Sequence, residues 1–162
     1  MAAPRVARFV SVDGDYVGLS GFGNQTEQQP FLTTVPLPVP HCAGAGVAAQ
    51  LRLNAKTSVV GFVAAELRCG GAPCPGGYTI ERASRIKGNF ISRPAGWGDP
   101  GLPGDFRLDL KPLEGEHVAV HLVLPDAELY SVAFVCASGG ESGTTTLESD
   151  DGVQPPGVRY TS

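Results

Sequence analysis

The sequence predicts an all-β fold: a single β-sandwich, jelly-roll or immunoglobulin-like, of about nine or ten short strands. Three observations carry that expectation. Apolar runs bounded by Gly, Pro, Asp or Asn recur about every 8 to 15 residues, with almost no helical period beside them. The 162 residues include 22 glycines and 14 prolines, so the chain must turn often. Hydrophobic residues make up 42% and charged residues 17%, which suits a folded core and not a disordered chain.

Residues 1–137 read as the β domain and 138–162 as an extended C-terminal segment with one added strand at most, over Thr144 to Glu148. The first strand is expected at Arg5 to Val12, turned by Asp13-Gly14-Asp15 into a second at Tyr16 to Ser20. Phe31 to Pro40 is apolar, yet Pro36, Pro38 and Pro40 remove every second ladder donor. It is therefore expected as an edge strand or a polyproline-like arm, never as a central strand. Val47 to Leu53 and Thr57 to Arg68 follow, the latter central because Val59 to Ala65 is almost wholly apolar. Further strands are expected at Tyr78 to Ala83 and Ile86 to Ser92, then a long irregular loop from Arg93 to Asp105 around Trp97. Phe106 to Leu110, His117 to Leu124 and Leu129 to Ala137 close the set. In the last two, alternate residues from Val118 to Leu124 and from Tyr130 to Cys136 form apolar faces, which predicts that these strands pair.

Charge and motif content exclude more than they assign. Twelve Lys and Arg against sixteen Asp and Glu leave no basic stripe for a phosphate backbone, so nucleic-acid binding is not expected. No apolar stretch approaches about 18 residues, so no membrane span is expected, and Phe9 to Val12 is too short for a secretory signal core. No catalytic residues, metal ligands or cofactor are assigned. His117 and His121 would share a helical face, but on a strand they stand about 13 Å apart and bridge no ion. The pairs Asp13/Asp15, Glu114/Glu116 and Asp150/Asp151 sit beside glycines, where turn chemistry accounts for them. No Gly-x-Ser-x-Gly elbow is present, and the Gly18, Gly21, Gly23 run lacks a βαβ setting.

Cys69 and Cys74 flank a tight Gly-Gly-Ala-Pro turn and form the candidate disulfide. Free buried thiols are one alternative, and a zinc site adding Cys42 or His41 and Cys136 is another. The candidate interaction residues are Phe31, Leu32, Val35, Leu37 and Val39 of the proline-rich segment, with Trp97 between Gly96 and Gly98. They lead to the expectation of a non-enzymatic structural or interaction module with protein partners, self-associating or decorating a larger assembly such as a virion or phage particle. The other expectation is a ligand-binding sandwich, for example one that stacks carbohydrate on Trp97 and Tyr78.

Overall fold

The computed structural model describes residues 12–14, 29–99, 102 and 105–138, with 12–14 described by their backbone alone. The fold is all-β. Eleven strands lie among the described residues, with two short 3₁₀ helices at Ile80–Arg82 and Lys111–Leu113. None of the described helices is long and apolar enough to cross a membrane.

The strands are β1 (Val12–Gly14), β2 (Phe31–Thr33), β3 (Leu37–Pro38), β4 (Val47–Thr57), β5 (Ala64–Cys69) and β6 (Ala72–Pro73). They continue with β7 (Asn89–Pro94), β8 (Trp97–Gly98), β9 (Phe106–Arg107), β10 (His117–Val123) and β11 (Ala127–Ser138). One antiparallel sheet runs β1-β11-β4-β7. A second runs β2-β10-β5-β6, with β3 also on β10, and β8 and β9 form a separate hairpin.

Period-2 alternation sets the buried faces. In β4, Ala49, Leu51, Leu53 and Ala55 are fully buried, and in β10 so are Val118, Val120 and Leu122. Both sets belong to one hydrophobic cluster, joined by Ala65 and Leu67 of β5, by Trp97 of β8 and by Tyr78, Leu110 and Leu113 from the connections. Connections are tied to strands by backbone bonds: Ala95 N–H donates to Leu51 O at 2.9 Å and Leu110 N–H to Ala49 O at 2.7 Å.

Several expectations change. β10 and β11 do not pair: β10 lies between β2 and β5, and β11 between β1 and β4, in different sheets. Alternation marks an apolar face but does not say whether two such faces lie side by side or in separate sheets. The link between them, Leu124 to Asp126, combines a proline with the positive φ of Asp126 (48°) and leads the chain out of the β10 ladder. The apolar run from Val59 is not a central strand either; β4 ends at Thr57 and β5 starts at Ala64. Val59 is 94% exposed. Ser58 breaks the run, because its Oγ accepts the N–H groups of Val60 and Gly61 and its backbone N–H donates to Asp126 O. Gly61 is then pressed so close to the Pro125–Asp126 backbone that a Cβ there would lie 2.1 Å from Asp126 O.

Asp13-Gly14 is strand and not turn, with Asp13 opposite Glu128 and Gly14 opposite Ala127. Tyr78 to Ala83 holds a 3₁₀ helix where a strand was expected, and the strand expected over Ile86 to Ser92 begins at Asn89, Ile86 making only a bridge to Val63. Phe106 to Leu110 is extended only at Phe106–Arg107, which closes the expected irregular loop back onto Trp97–Gly98. The strand expected at Arg5 to Val12, apart from Val12 itself, and those expected at Tyr16 to Ser20 and Thr144 to Glu148 lie outside the described residues, as does nearly all of 138–162.

Candidate functional site

The proline-rich segment forms an outer edge of the second sheet. Leu124 N–H donates to Pro30 O and Thr34 N–H to Val120 O, both at 2.9 Å, so even-numbered residues of β2 turn their backbone groups toward β10. The N–H and C=O of Phe31 and Thr33 consequently point away from the sheet. From Thr33 to Leu37 the edge takes four steps while β10, from His121 to Val118, takes three. That one-residue bulge switches the parity. Beyond it, Val39 exchanges bonds with Glu116 and Gly115, and the prolines at 36, 38 and 40 face outward, where a missing donor breaks no ladder.

The predicted interaction residues therefore divide. Phe31 and Val35 are 69% and 74% exposed. Leu32 and Leu37 are half-buried, Leu32 against the core, and Val39 is a core residue. Trp97 is 3% exposed: its Nε1–H donates to Ala65 O at 2.8 Å, and Tyr78 meets its ring edge-on at 5.3 Å between centroids. Neither aromatic offers a free face, so the stacking version of carbohydrate binding has no platform here.

Beside the edge, Thr33, His121 and Glu66 are direct cross-strand neighbours on one face. Thr33 Oγ1 lies 2.7 Å from His121 Nδ1, and the Phe31 ring 5.3 Å from the imidazole. Burial, then the Arg68 cation, push His121 below the usual histidine value, while Glu66 pulls the other way. Glu66 is itself held by Arg68 Nε at 2.8 Å and by the Ile80 N–H. His117 and His121 sit on one strand, as the spacing argument required, and no group of three potential metal ligands occurs among the described residues.

All four cysteines are paired. Cys69 joins Cys74 across the β5–β6 turn, and Cys42, just beyond β3, joins Cys136 on β11. The free-thiol and zinc readings are thereby replaced. Sequence reasoning missed the second bridge, whose members are 94 positions apart and carry no local turn signal. The bridge lies in a tied-down corner: Glu114 accepts the N–H groups of Cys42 and Ala49 and pairs with Lys111 Nζ at 3.3 Å. Burial would raise the Glu114 carboxyl, but those donors outweigh it and hold the group below its usual range.

A second feature carried no sequence signal. A cleft of about 250 Å³ opens beside the β8–β9 hairpin, lined by Gly76, Gly77, Arg82, Trp97, Gly98, Asp99, Asp105 and Arg107. Arg107 is fixed there, its guanidinium 4.6 Å from the Tyr78 ring centre and Nη2 donating to Gly76 O at 2.6 Å. Burial pushes the Tyr78 phenol up, and Arg107 counters part of that.

No protein-family model matches the chain, and comparison with curated proteins and with solved structures finds no match.

Proposed function

We propose that the chain is a non-enzymatic interaction module, a β-sandwich of its two larger sheets that self-associates through the Phe31–Val35 edge, as in a symmetric oligomer or a repeating assembly of the virion kind. The observation that carries this reading is the pair of exposed apolar side chains, Phe31 on β2 and Val35 just after it, beside the outward backbone groups of Phe31 and Thr33, which have no strand partner among the described residues. Unpaired edges of this kind are templates for another strand. Covering a Phe or Val side chain contributes about 1.5 to 3 kcal/mol each, a useful share of the cost of association. A second copy is the fitting occupant because Phe31-Leu32-Thr33-Thr34-Val35 carries no charge, so two copies meet antiparallel without like-charge repulsion.

Light scattering on the intact chain and on the Phe31→Ser/Val35→Ser variant tests this. The intact chain is expected as an oligomer of the 16.8 kDa protomer, and the variant as a folded monomer. A monomeric intact chain at high concentration, or an oligomer indifferent to both substitutions, would refute it.

A further inference from the structure

We propose that the glycine-walled cleft binds a neutral polyhydroxylated small molecule of about one sugar ring. The site lies away from the Phe31 edge, and its reading stands apart from self-association.

The charges facing the cleft select the ligand class. Arg82 and Arg107 supply two cations, and Asp99 and Asp105 two anions. A simple anion meets two carboxylates there and a simple cation meets two guanidiniums, so neither is favoured. A hydroxyl donates and accepts at once, whereas a carboxylate only accepts and a guanidinium only donates, so a polyol satisfies both kinds together. An ammonium–carboxylate zwitterion matches the signs but must give up the hydration of two full charges, which an open cleft repays poorly.

Two further observations indicate a prepared surface. The first is the absence of side chains on three wall positions. A Cβ on Gly98 would lie 2.3 Å from Asp105 O, and one on Gly76, at φ 111°, 3.1 Å from Tyr78 Cε2. Backbone groups of Gly76, Gly77 and Gly98 thus help form the wall, with no side chain of their own to fill the space. The second is the division of labour among the charges. Arg107 is locked on Tyr78 and Gly76, whereas Arg82 and Asp105 make no ion pair or side-chain hydrogen bond among the described residues. Their polar capacity is available to a ligand. Trp97 borders the cleft but keeps its ring packed on Tyr78, so recognition here rests on hydrogen bonds without aromatic stacking.

Trp97 is the chain's single tryptophan and reports directly on the cleft. The experiment titrates glucose, galactose, mannose, a pentose and myo-inositol into the intact chain, following tryptophan fluorescence and the amide resonances of Gly76, Gly77 and Gly98. At least one should give a saturable change that falls at least tenfold in affinity in Arg82→Gln and in Asp105→Asn. Both side chains are exposed, so folding should survive, which circular dichroism checks. No saturable response to any of the five, a curve unchanged in both variants, or a response to glycine or sulfate alone would each overturn the proposal. Phe31→Ser/Val35→Ser should leave the titration unchanged, which separates the failure of one site from that of the other.

Discussion

Replacing Cys42 and Cys136 together by alanine removes the bridge that fastens the segment after β3 to β11. The bridge spans 94 positions, and closing a loop of about 100 residues in the unfolded chain costs about 4.7 kcal/mol in the chain-entropy model. The same relation applied to Cys69 and Cys74, five positions apart, gives about 2 kcal/mol. The two double variants should therefore separate by more than twofold in stability. With a urea slope of about 1.5 kcal/mol/M, the Cys42/Cys136 variant should unfold about 3 M earlier than the parent and the Cys69/Cys74 variant about 1.4 M earlier. The assay is equilibrium unfolding in urea without reductant, with mass spectrometry to verify that the remaining pair is oxidised in each protein. Equal midpoint shifts, or a larger shift for the short bridge, would refute the loop-entropy reasoning. A changed slope would show that removing the bridge also alters the compactness of the unfolded ensemble, beyond its loop entropy.

Two further outcomes follow from local geometry. Gly61→Ala sets a methyl group against the carbonyls of Asp126 and Pro125, backbone atoms that cannot swing aside, and should cost about 3 kcal/mol. At about 2 to 4 °C per kcal/mol this lowers Tm by about 6 to 12 °C, and a drop under about 2 °C would contradict the close approach. His121 is depressed by burial and by Arg68, so the folded chain binds its proton less readily than the unfolded chain does. Its contribution is complete above the ordinary value of 6.5 and is lost as pH falls through the lower folded value. The urea midpoint should drop between pH 7.5 and pH 5.5 in the parent and drop less in His121→Gln; parallel drops would assign the pH dependence to other groups.

The strand face of β10 was readable from the sequence, that of β11 only at Val132 and Phe134, since the bulge between Leu129 and Ser131 leaves Tyr130 exposed and Cys136 is exposed too, and strand neighbours were not readable. Alternation at Val118, Val120, Leu122 and Leu124 identifies residues that are buried in the fold, and the spacing of Pro36, Pro38 and Pro40 identifies an outer strand. Both are local signals, because side-chain direction and a missing N–H depend on one segment alone. The partners of β10 and β11 depend on which surfaces meet, which identical alternation leaves open. Val59 to Ala65 misled for the same reason: the Gly61 contact with Asp126 that bends it comes from a turn 65 positions away. The cleft had no signature at all. Its shape comes from positive φ at Gly76 and Gly77 and from a hairpin that returns Asp105 and Arg107 to the glycines around Trp97. Such glycines look like any other turn residues until the fold is known.

On the proposed self-association, the parity switch between Thr33 and Leu37 would also limit polymer growth. Ahead of it the edge offers hydrogen-bonding groups to a newcomer, and behind it Pro36 and Pro38 present carbon where a donor is needed. A second copy that docks there occupies the open stretch completely and finds no continuous edge along which to slide into other registers. On the proposed self-association, each contact through this edge would close on a pair, so a larger assembly would need a second surface, and the prolines would oppose runaway fibre formation along the strand that carries Phe31.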